Sequence, residues 1–394
     1  MKQAFVTFFL AGLLSGMLAG CSTMGDWSKS IMGGEDNAEP PAPLVDIENP
    51  VPLKKLWSSS VGVGDDRQFI NLVPAVDDTQ VFVANRKGRV AAFDAETGKE
   101  NWSVKTKVAI SAGPGAGEGI VLVGTSDAEV LALSAVDGTL LWKVEVSSEV
   151  LSVPQIDLDK VIVQTVDGNV AGLDAADGHE IWVHDRSIPV LTLRGTSTPA
   201  VQHGLVVVGY ANGKLAALSA EKGFDVWETS ITIPQGNSEI DRMVDIDGDP
   251  IIVGGAVYIT TYQGRVAVVD IQNGNPGWTR DMSSSVGLGV DFSQVYVTDD
   301  QSHVWALSRS TGASEWKAET LNNRRLTAPE PFGDYVAVGD VEGYVHLLSR
   351  YDGHVAARVK VDSKGIRSRL LTRNDVLYVY GNSGKLAAYV LPEE

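Results

Sequence analysis

Residues 133–142 read LSAVDGTLLW, and this phrase returns along the chain at a spacing near forty residues. In each copy an apolar strand end leads into a turn with glycine at a fixed place, and a tryptophan follows four residues later. Glycine allows the positive φ that a tight hairpin turn needs, and tryptophan offers a wide flat surface for packing against a neighbouring unit. Further copies are FDAETGKENW (93–102), LDAADGHEIW (173–182), LSAEKGFDVW (218–227), VDIQNGNPGW (269–278) and LSRSTGASEW (307–316). A seventh copy, LSRYDGHVAA (348–357), has Ala357 where tryptophan is expected.

A second repeat occurs eight times and consists of a tight turn followed by alternating apolar residues, as in KGRVAAF (87–93) and DGNVAGL (167–173). Its turn position is held by Gly88, Ala128, Gly168, Gly213, Gly264, Ser302, Gly343 and Gly384. Short β-branched runs such as VFVAN (81–85) lie upstream of the copies. Period-two alternation with regular turns predicts antiparallel strands, and four strands per repeat of this length are typical of a β-propeller blade.

The unequal numbers of the two repeats predict how the ring closes. The eighth copy ends at KLAAYVLPEE (385–394), which leaves no room for an outer strand, while LKKLWSSS (53–60) is an isolated N-terminal strand. If that strand completes the last blade, the chain forms an all-β, eight-bladed propeller of four-stranded antiparallel blades, and closure removes exposed sheet edges. The alternative is seven blades with a loose hairpin.

The glycine-to-tryptophan phrase resembles the repeat of the pyrroloquinoline-quinone dehydrogenases, the quinoprotein family. In that family the repeat docks one blade on the next, which implies a structural role here. The enzymes carry a vicinal cysteine pair at the cofactor, whereas Cys21 is the sole cysteine of this chain. The sequence also lacks a GxSxG elbow, a Walker loop and an HExxH motif. We therefore predict no catalytic residue and no cofactor, with a periplasmic quinoprotein-type dehydrogenase as the alternative.

The N-terminus predicts export and attachment to a membrane. A basic start precedes a short apolar run that ends at Cys21, which is typical of a secretory signal (1–20) rather than a spanning helix. The ending Leu18-Ala19-Gly20-Cys21 resembles the bacterial lipobox, which implies lipidation of Cys21, and Ser22 implies sorting to the outer membrane. The alternative is an ordinary signal peptide with a chance cysteine. Residues 21–52 are rich in glycine, proline and acids and predict a flexible tether before a propeller domain at 53–394.

Charge and metal-ligand spacing exclude other classes of function. The formal net charge of −18 argues against binding of nucleic acid through bulk charge. The six histidines are scattered, and we predict no metal site. The segment DIDGDP (245–250) alternates aspartates as in half of a calcium loop, but the glycine and the twelfth-position glutamate of such a loop are missing. An acidic surface loop and an acidic contact for a basic partner are the remaining interpretations.

Two insertions interrupt the repeat. The tryptophan spacing is 40 from Trp102 to Trp142 and from Trp142 to Trp182, then 45 to Trp227 and 51 to Trp278. The extra residues fall in HDRSIPVLTLRG (184–195, the first insertion) and SITIPQGNSEIDRMVDIDGDP (230–250, the second insertion). Both connect the outer strand of one blade to the next blade, so we expect them side by side on one face of the disc. NNRRLTAP (322–329) and KGIRSRLL (364–371) bring Arg324, Arg325, Arg367 and Arg369 to the same face.

Leu191, Leu193 and Arg194 are the most unusual residues of the first insertion. Apolar anchors beside an arginine within a polar rim are typical of protein–protein hot spots. The alternative is that the two leucines begin the inner strand of the fourth blade and belong to the core.

The lipobox, the acidic tether, the eight blades and the two insertions together resemble the propeller lipoproteins of the outer-membrane β-barrel assembly machinery. The resemblance covers the mature chain. It implies a non-catalytic scaffold, anchored to the outer membrane and facing the periplasm, that binds the POTRA domains of the barrel subunit BamA and other subunits of the machinery. Unfolded outer-membrane proteins are a further candidate partner. The family's interface implies partner-binding roles for Leu191, Leu193, Arg194, Asp245 and Asp247.

Overall fold

The computed structural model describes residues 39–65, 68, 70–187, 189, 191–193, 196–234, 237–238 and 240–392. The predicted signal peptide, Cys21 and Arg194 lie outside the described residues. The described part contains strands β1 (Lys54–Ser60), β2 (Asn71–Leu72), β3 (Ala75–Val76), β4 (Gln80–Ala84), β5 (Arg89–Asp94), β6 (Glu100–Lys105), β7 (Ile110–Gly117), β8 (Ile120–Thr125), β9 (Glu129–Ser134), β10 (Leu140–Glu145), β11 (Gln155–Asp157), β12 (Lys160–Gln164), β13 (Val170–Asp174), β14 (Glu180–His184), β15 (Ala200–Gln202) and β16 (Leu205–Gly209). They are followed by β17 (Lys214–Ser219), β18 (Asp225–Ser230), β19 (Ile251–Val253), β20 (Ala256–Thr260), β21 (Arg265–Asp270), β22 (Pro276–Asp281), β23 (Leu288–Val290), β24 (Gln294–Thr298), β25 (Val304–Ser308), β26 (Ser314–Ala318), β27 (Glu330–Phe332), β28 (Tyr335–Gly339), β29 (Tyr344–Ser349), β30 (Val355–Lys360), β31 (Leu371–Arg373), β32 (Val376–Tyr380) and β33 (Lys385–Val390).

The strands form eight sheets, which are the blades of a propeller. Blades 1 to 7 begin at β3, β7, β11, β15, β19, β23 and β27, and each runs through four consecutive antiparallel strands. Blade 8 has the order β1-β33-β32-β31, so the N-terminal strand supplies its outer edge, with Trp57 opposite Ala388. The predicted eight-bladed, all-β propeller closed by the N-terminal strand is thus confirmed. One detail was not predicted: β2 adds a short parallel fifth strand to blade 2 beside β7.

The glycine-to-tryptophan phrase joins consecutive blades in the way its chemistry suggests. In each joint the indole N–H of one blade's outer strand donates to a backbone carbonyl in the next blade's turn, over 2.8–3.0 Å. The turn glycine packs on the same indole; a Cβ on Gly178 would lie 2.7 Å from Cε3 of Trp142. These glycines have φ between 69 and 79°, so both the backbone and the lack of a side chain are needed. The donors are Trp57, Trp102, Trp142, Trp182, Trp227, Trp278 and Trp316.

The interface between blades 7 and 8 is built differently, which explains why Ala357 stands where the repeat predicts a tryptophan. The outer strand of blade 8 comes from the N-terminus, so no hairpin turn links β33 to β1 and no turn glycine is there to receive an indole. Ala357 is instead buried in a cluster against which Val51, Leu53 and Leu391 pack. The N-terminal segment and the last residues of the chain therefore fill the place of the eighth docking joint.

Residues 41–53 differ from the tether predicted for 21–52. Ala42 N donates to Asn322 O over 2.9 Å, and Val51 N donates to Ala356 O over 2.8 Å. This part of the chain follows blade 7 because its apolar residues have a core cluster to join. Among the described residues, no helix has the length and apolar character needed to cross a membrane.

Candidate functional site

The two insertions lie next to each other on one face of the disc. The first runs from β14 to β15 and the second from β18 to β19, so both are connections between adjacent blades. Leu191 precedes β15 by nine residues and is 41% exposed, and Leu193 is half-buried. Neither leucine belongs to the inner strand, contrary to the alternative that placed them in the core.

Aspartates of the second insertion accept hydrogen bonds from the backbone of the first insertion and of the residues that follow it. Asp245 is 1% exposed, and its Oδ2 accepts a hydrogen bond from the backbone N–H of Leu193. Asp249 Oδ1 accepts from the N–H of Thr198 over 2.6 Å. Hydrogen bonds to an ionised acceptor are roughly twice as strong as neutral ones. The two insertions are therefore joined into a single surface, and Asp245 acts from beneath it rather than on it.

Asp247 occupies a different position. It is half-buried and lines a polar cavity of about 20 Å³ together with Gln164, Thr192 and Tyr210. A cavity of this size holds about one water molecule. Asp247 thus lies where the second insertion meets both the first insertion and blade 4.

Burial changes the titration of these carboxyl groups. It raises the pKa of Asp245 to about 6, against the opposing effect of the Leu193 N–H. It raises the pKa of Asp247 to about 7, and the negative charges of Asp245 and Asp249 add to the effect. Burial also raises the pKa of Asp249. The surface is consequently maintained by groups that change charge close to neutral pH.

Three of the four arginines predicted on this face, Arg324, Arg367 and Arg369, form ion pairs within the protein. Arg324 is 1% exposed and its Nη2 lies 2.7 Å from Asp340 Oδ2. Arg367 Nη1 lies 3.2 Å from Asp65 Oδ2, and Arg369 Nη2 lies 3.6 Å from Glu330 Oε2. The sequence could not distinguish an internal ion pair from a surface cluster, because the acids that pair with these arginines lie 16 residues or more away along the chain.

One group of described residues has the geometry of a possible cation site. Potential ligand atoms of Asp174, Asp177 and His179 lie within 4.8 Å of one another in the docking turn of blade 3. Asp177 and His179 are exposed, and His179 Nδ1 lies within hydrogen-bond distance of Asp177 Oδ1, at 2.7 Å. The same carboxylate oxygen accepts a hydrogen bond from the backbone N–H of His179. These contacts within the turn account for the cluster.

Comparison with known sequences identifies relatives along nearly the whole chain. The family model described as "Outer membrane protein assembly factor BamB" matches residues 54–110 and 86–318. A protein of that name from Pseudomonas aeruginosa is 48% identical over 365 residues, covering 92% of this chain and 96% of the relative. Its namesake from Xanthomonas campestris is 37% identical over 394 residues, covering 98% and 97%.

Comparison with solved structures agrees with the comparison of sequences. The crystal structure of BamB from Moraxella catarrhalis superimposes with a TM-score of 0.78 at 29% identity, covering 86% of this chain and 99% of that one. The quinohemoprotein alcohol dehydrogenase of Comamonas testosteroni gives a TM-score of 0.68 at 14% identity, covering 87% and 78%. At that identity the second likeness shows a shared fold alone.

Proposed function

We propose a function from one premise: this chain belongs to the family of the outer membrane protein assembly factor BamB. The proposed function is that of a non-catalytic scaffold in the assembly of outer-membrane proteins. Its proposed partners are the periplasmic POTRA domains of the barrel subunit BamA, with the other subunits of that machinery.

The observation that supports this proposal is the joining of two single-copy insertions into one surface through Asp245 and Leu193. Leu191 presents an exposed apolar side chain there, and Leu193 is partly accessible. We assign contact with the partner to Leu191, Leu193 and Arg194, while Asp245 and Asp247 shape the surface. A loop ordered before association loses less conformational entropy on binding.

Attachment to the membrane is the second part of the proposal. Cys21 is the proposed lipidation site, which would place the protein at the outer membrane, facing the periplasm. A single chain end held at the membrane raises the effective concentration of the scaffold near a membrane-embedded partner. Unfolded outer-membrane proteins are a further proposed partner, testable by photocrosslinking from position 191 during their export.

The test is co-purification from detergent-solubilised envelopes, with partners identified by mass. Leu191→Ser should lower BamA recovery by about 30-fold or more, because truncating a hot-spot anchor costs about 2 kcal/mol or more. The matched control is Leu158→Ser in the turn between β11 and β12, because Leu158 is 70% exposed on the opposite face. Both variants should keep the circular dichroism of the parent.

Two outcomes would contradict the proposal. If Leu191→Ser retains BamA as well as Leu158→Ser does, the insertions are not the contact surface. If the purified protein shows quinone absorbance with dehydrogenase activity, the scaffold assignment gives way to the quinoprotein alternative.

A further inference from the structure

Two residues of the N-terminal segment, each flanked by prolines, donate backbone hydrogen bonds to the disc. Ala42 stands between Pro41 and Pro43, and its N–H donates to Asn322 O over 2.9 Å. Val51 stands between Pro50 and Pro52 in the same way, and its N–H donates to Ala356 O over 2.8 Å. Between the two contacts, Arg358 Nη1 donates to Val45 O over 3.0 Å. We call residues 41–53 the docked segment.

The first contact rests on a buried guanidinium. Arg324 Nη1 donates to the carbonyl of Ala42 over 2.6 Å, while Nε donates to Asp340 Oδ2 over 2.8 Å. His346 Nε2 lies 2.9 Å from the same carboxylate oxygen, and Glu342 also pairs with the guanidinium. A buried cation needs every donor satisfied, so the Ala42 carbonyl completes this network.

The prolines lower the cost of docking. Proline fixes its own φ and keeps the preceding residue extended, so Ala42 and Val51 have little conformational freedom to lose. Proline also has no N–H, so the intervening residue is the one able to donate a backbone hydrogen bond at each site. The sequence pattern Pro-x-Pro, used twice, thus matches the two observed contacts.

The first contact has a defined place on the disc. Asn322 and Arg324 lie between β26 and β27, in a connection between blades 6 and 7. Connections of this kind all emerge on the face that carries the two insertions. The second insertion connects blades 4 and 5, so Ala42 meets the disc two connections further round the ring on that same face.

We propose that the docked segment is a fixed attachment that makes the chain leave the disc at Ala42, with Arg324 as its positioning residue. Counted along the sequence, residues 22–41 instead of 22–53 would then separate a lipid at Cys21 from the first attachment to the disc. That attachment point and the surface formed by the insertions share one face of the disc. This consequence rests on the proposed lipid attachment; the docking itself does not.

Hydrogen exchange of the purified full chain tests the docking. The Ala42 and Val51 amides should both be protected in the parent protein. Arg324→Lys keeps a cation beside Asp340 but removes the planar guanidinium whose Nη1 binds the Ala42 carbonyl. The Ala42 amide should therefore exchange about five- to tenfold faster, while the exchange of the Val51 amide is unchanged. Pro41→Gly with Pro43→Gly should give the same result with every side chain of the buried network unchanged. Pro40→Gly, which precedes the segment, is the matched control and should change neither amide.

The exchange result tests the docking of the segment, and the energy-transfer result tests the proposed lipid attachment. An Ala42 amide that exchanges at the rate of a free peptide in the parent protein overturns the inference. On vesicles of phosphatidylethanolamine and phosphatidylglycerol, energy transfer from a dye at Val136→Cys to labelled lipid should broaden in the double glycine variant. An unchanged distribution there, despite faster exchange, would overturn the claim that docking sets the reach of the anchor. Absence of transfer in every variant would instead contradict lipid attachment and leave the exchange result decisive.

Discussion

The joints between blades and the surface formed by the two insertions hold their geometry by opposite means. In a joint, an indole packs on a glycine and donates to a carbonyl, so only neutral groups are buried. In the insertions, the carboxylate of Asp245 is buried to bind one backbone N–H of the neighbouring loop. Burying a charge is costly unless it is well compensated. At the insertions this cost falls where the repeat is interrupted, which distinguishes residues that maintain the joints from residues that shape a surface.

Removal of one docking indole should have the largest effect on stability. Trp142→Ala deletes a buried side chain that fills the joint between blades 2 and 3 and donates to Ala175 O. The free energy of unfolding should fall by about 3–5 kcal/mol, as for other large-to-small core changes. Urea unfolding measures the loss, and Leu141→Ala on the same strand, at a 49% exposed position, is the control. Equal losses in the two variants would refute the role of the joint.

Addition of an eighth indole should destabilise the ring. Ala357→Trp supplies the residue that the repeat predicts, but the interface already contains Val51, Leu53 and Leu391. Overpacking typically costs about 1–3 kcal/mol, and hydrogen exchange should show lost protection at Val51. An increase in stability would mean that the joint does not depend on a glycine turn in the next blade.

Asp245→Ala should loosen the surface more than it weakens the ring. The Leu193 N–H loses its acceptor, which costs about 1–2 kcal/mol of local stability. BamA recovery should fall by about tenfold, while Asp245→Asn, which keeps an acceptor oxygen, should recover most of it. A BamA recovery equal to that of the parent in Asp245→Ala would show that this carboxylate does not support the contact.

The smallest expected effect is a dependence on pH. The pKa values of Asp245 and Asp247 are raised to about 6 and about 7, so the folded protein retains protons that the unfolded chain releases above about pH 4. Their contribution to the free energy of unfolding is therefore complete below about pH 4 and is lost as pH rises through 6 and 7. Urea unfolding at pH 5 and pH 8 checks this. The double variant Asp245→Asn with Asp247→Asn should show a smaller difference, and parallel behaviour of the two proteins would contradict the assignment.

Much of the ring could be predicted because its information is local and repeated. Each ten-residue phrase supplies the turn glycine of one joint and the tryptophan of the next, and the missing outer strand of the last blade indicated closure by the strand that contains Trp57. The adjacency of the two insertions could also be predicted, because each connects the outer strand of one blade to the inner strand of the next. The role of Asp245 beneath Leu193 could not, since 52 residues separate the two and no periodicity links them. Burial of Arg324 was missed for the same reason, because its partners come from another blade and from the N-terminal segment.

The order of contacts along the N-terminal segment has a mechanical consequence. A force that pulls on the chain from its N-terminal side meets the contacts of Ala42 first, then those of Val45 and Val51, and only then the strand that closes the ring. β1 is bonded along its length to β33, and its loss would open the disc. The hydrogen bonds of the docked segment thus bear the load before it reaches the pairing of β1 with β33.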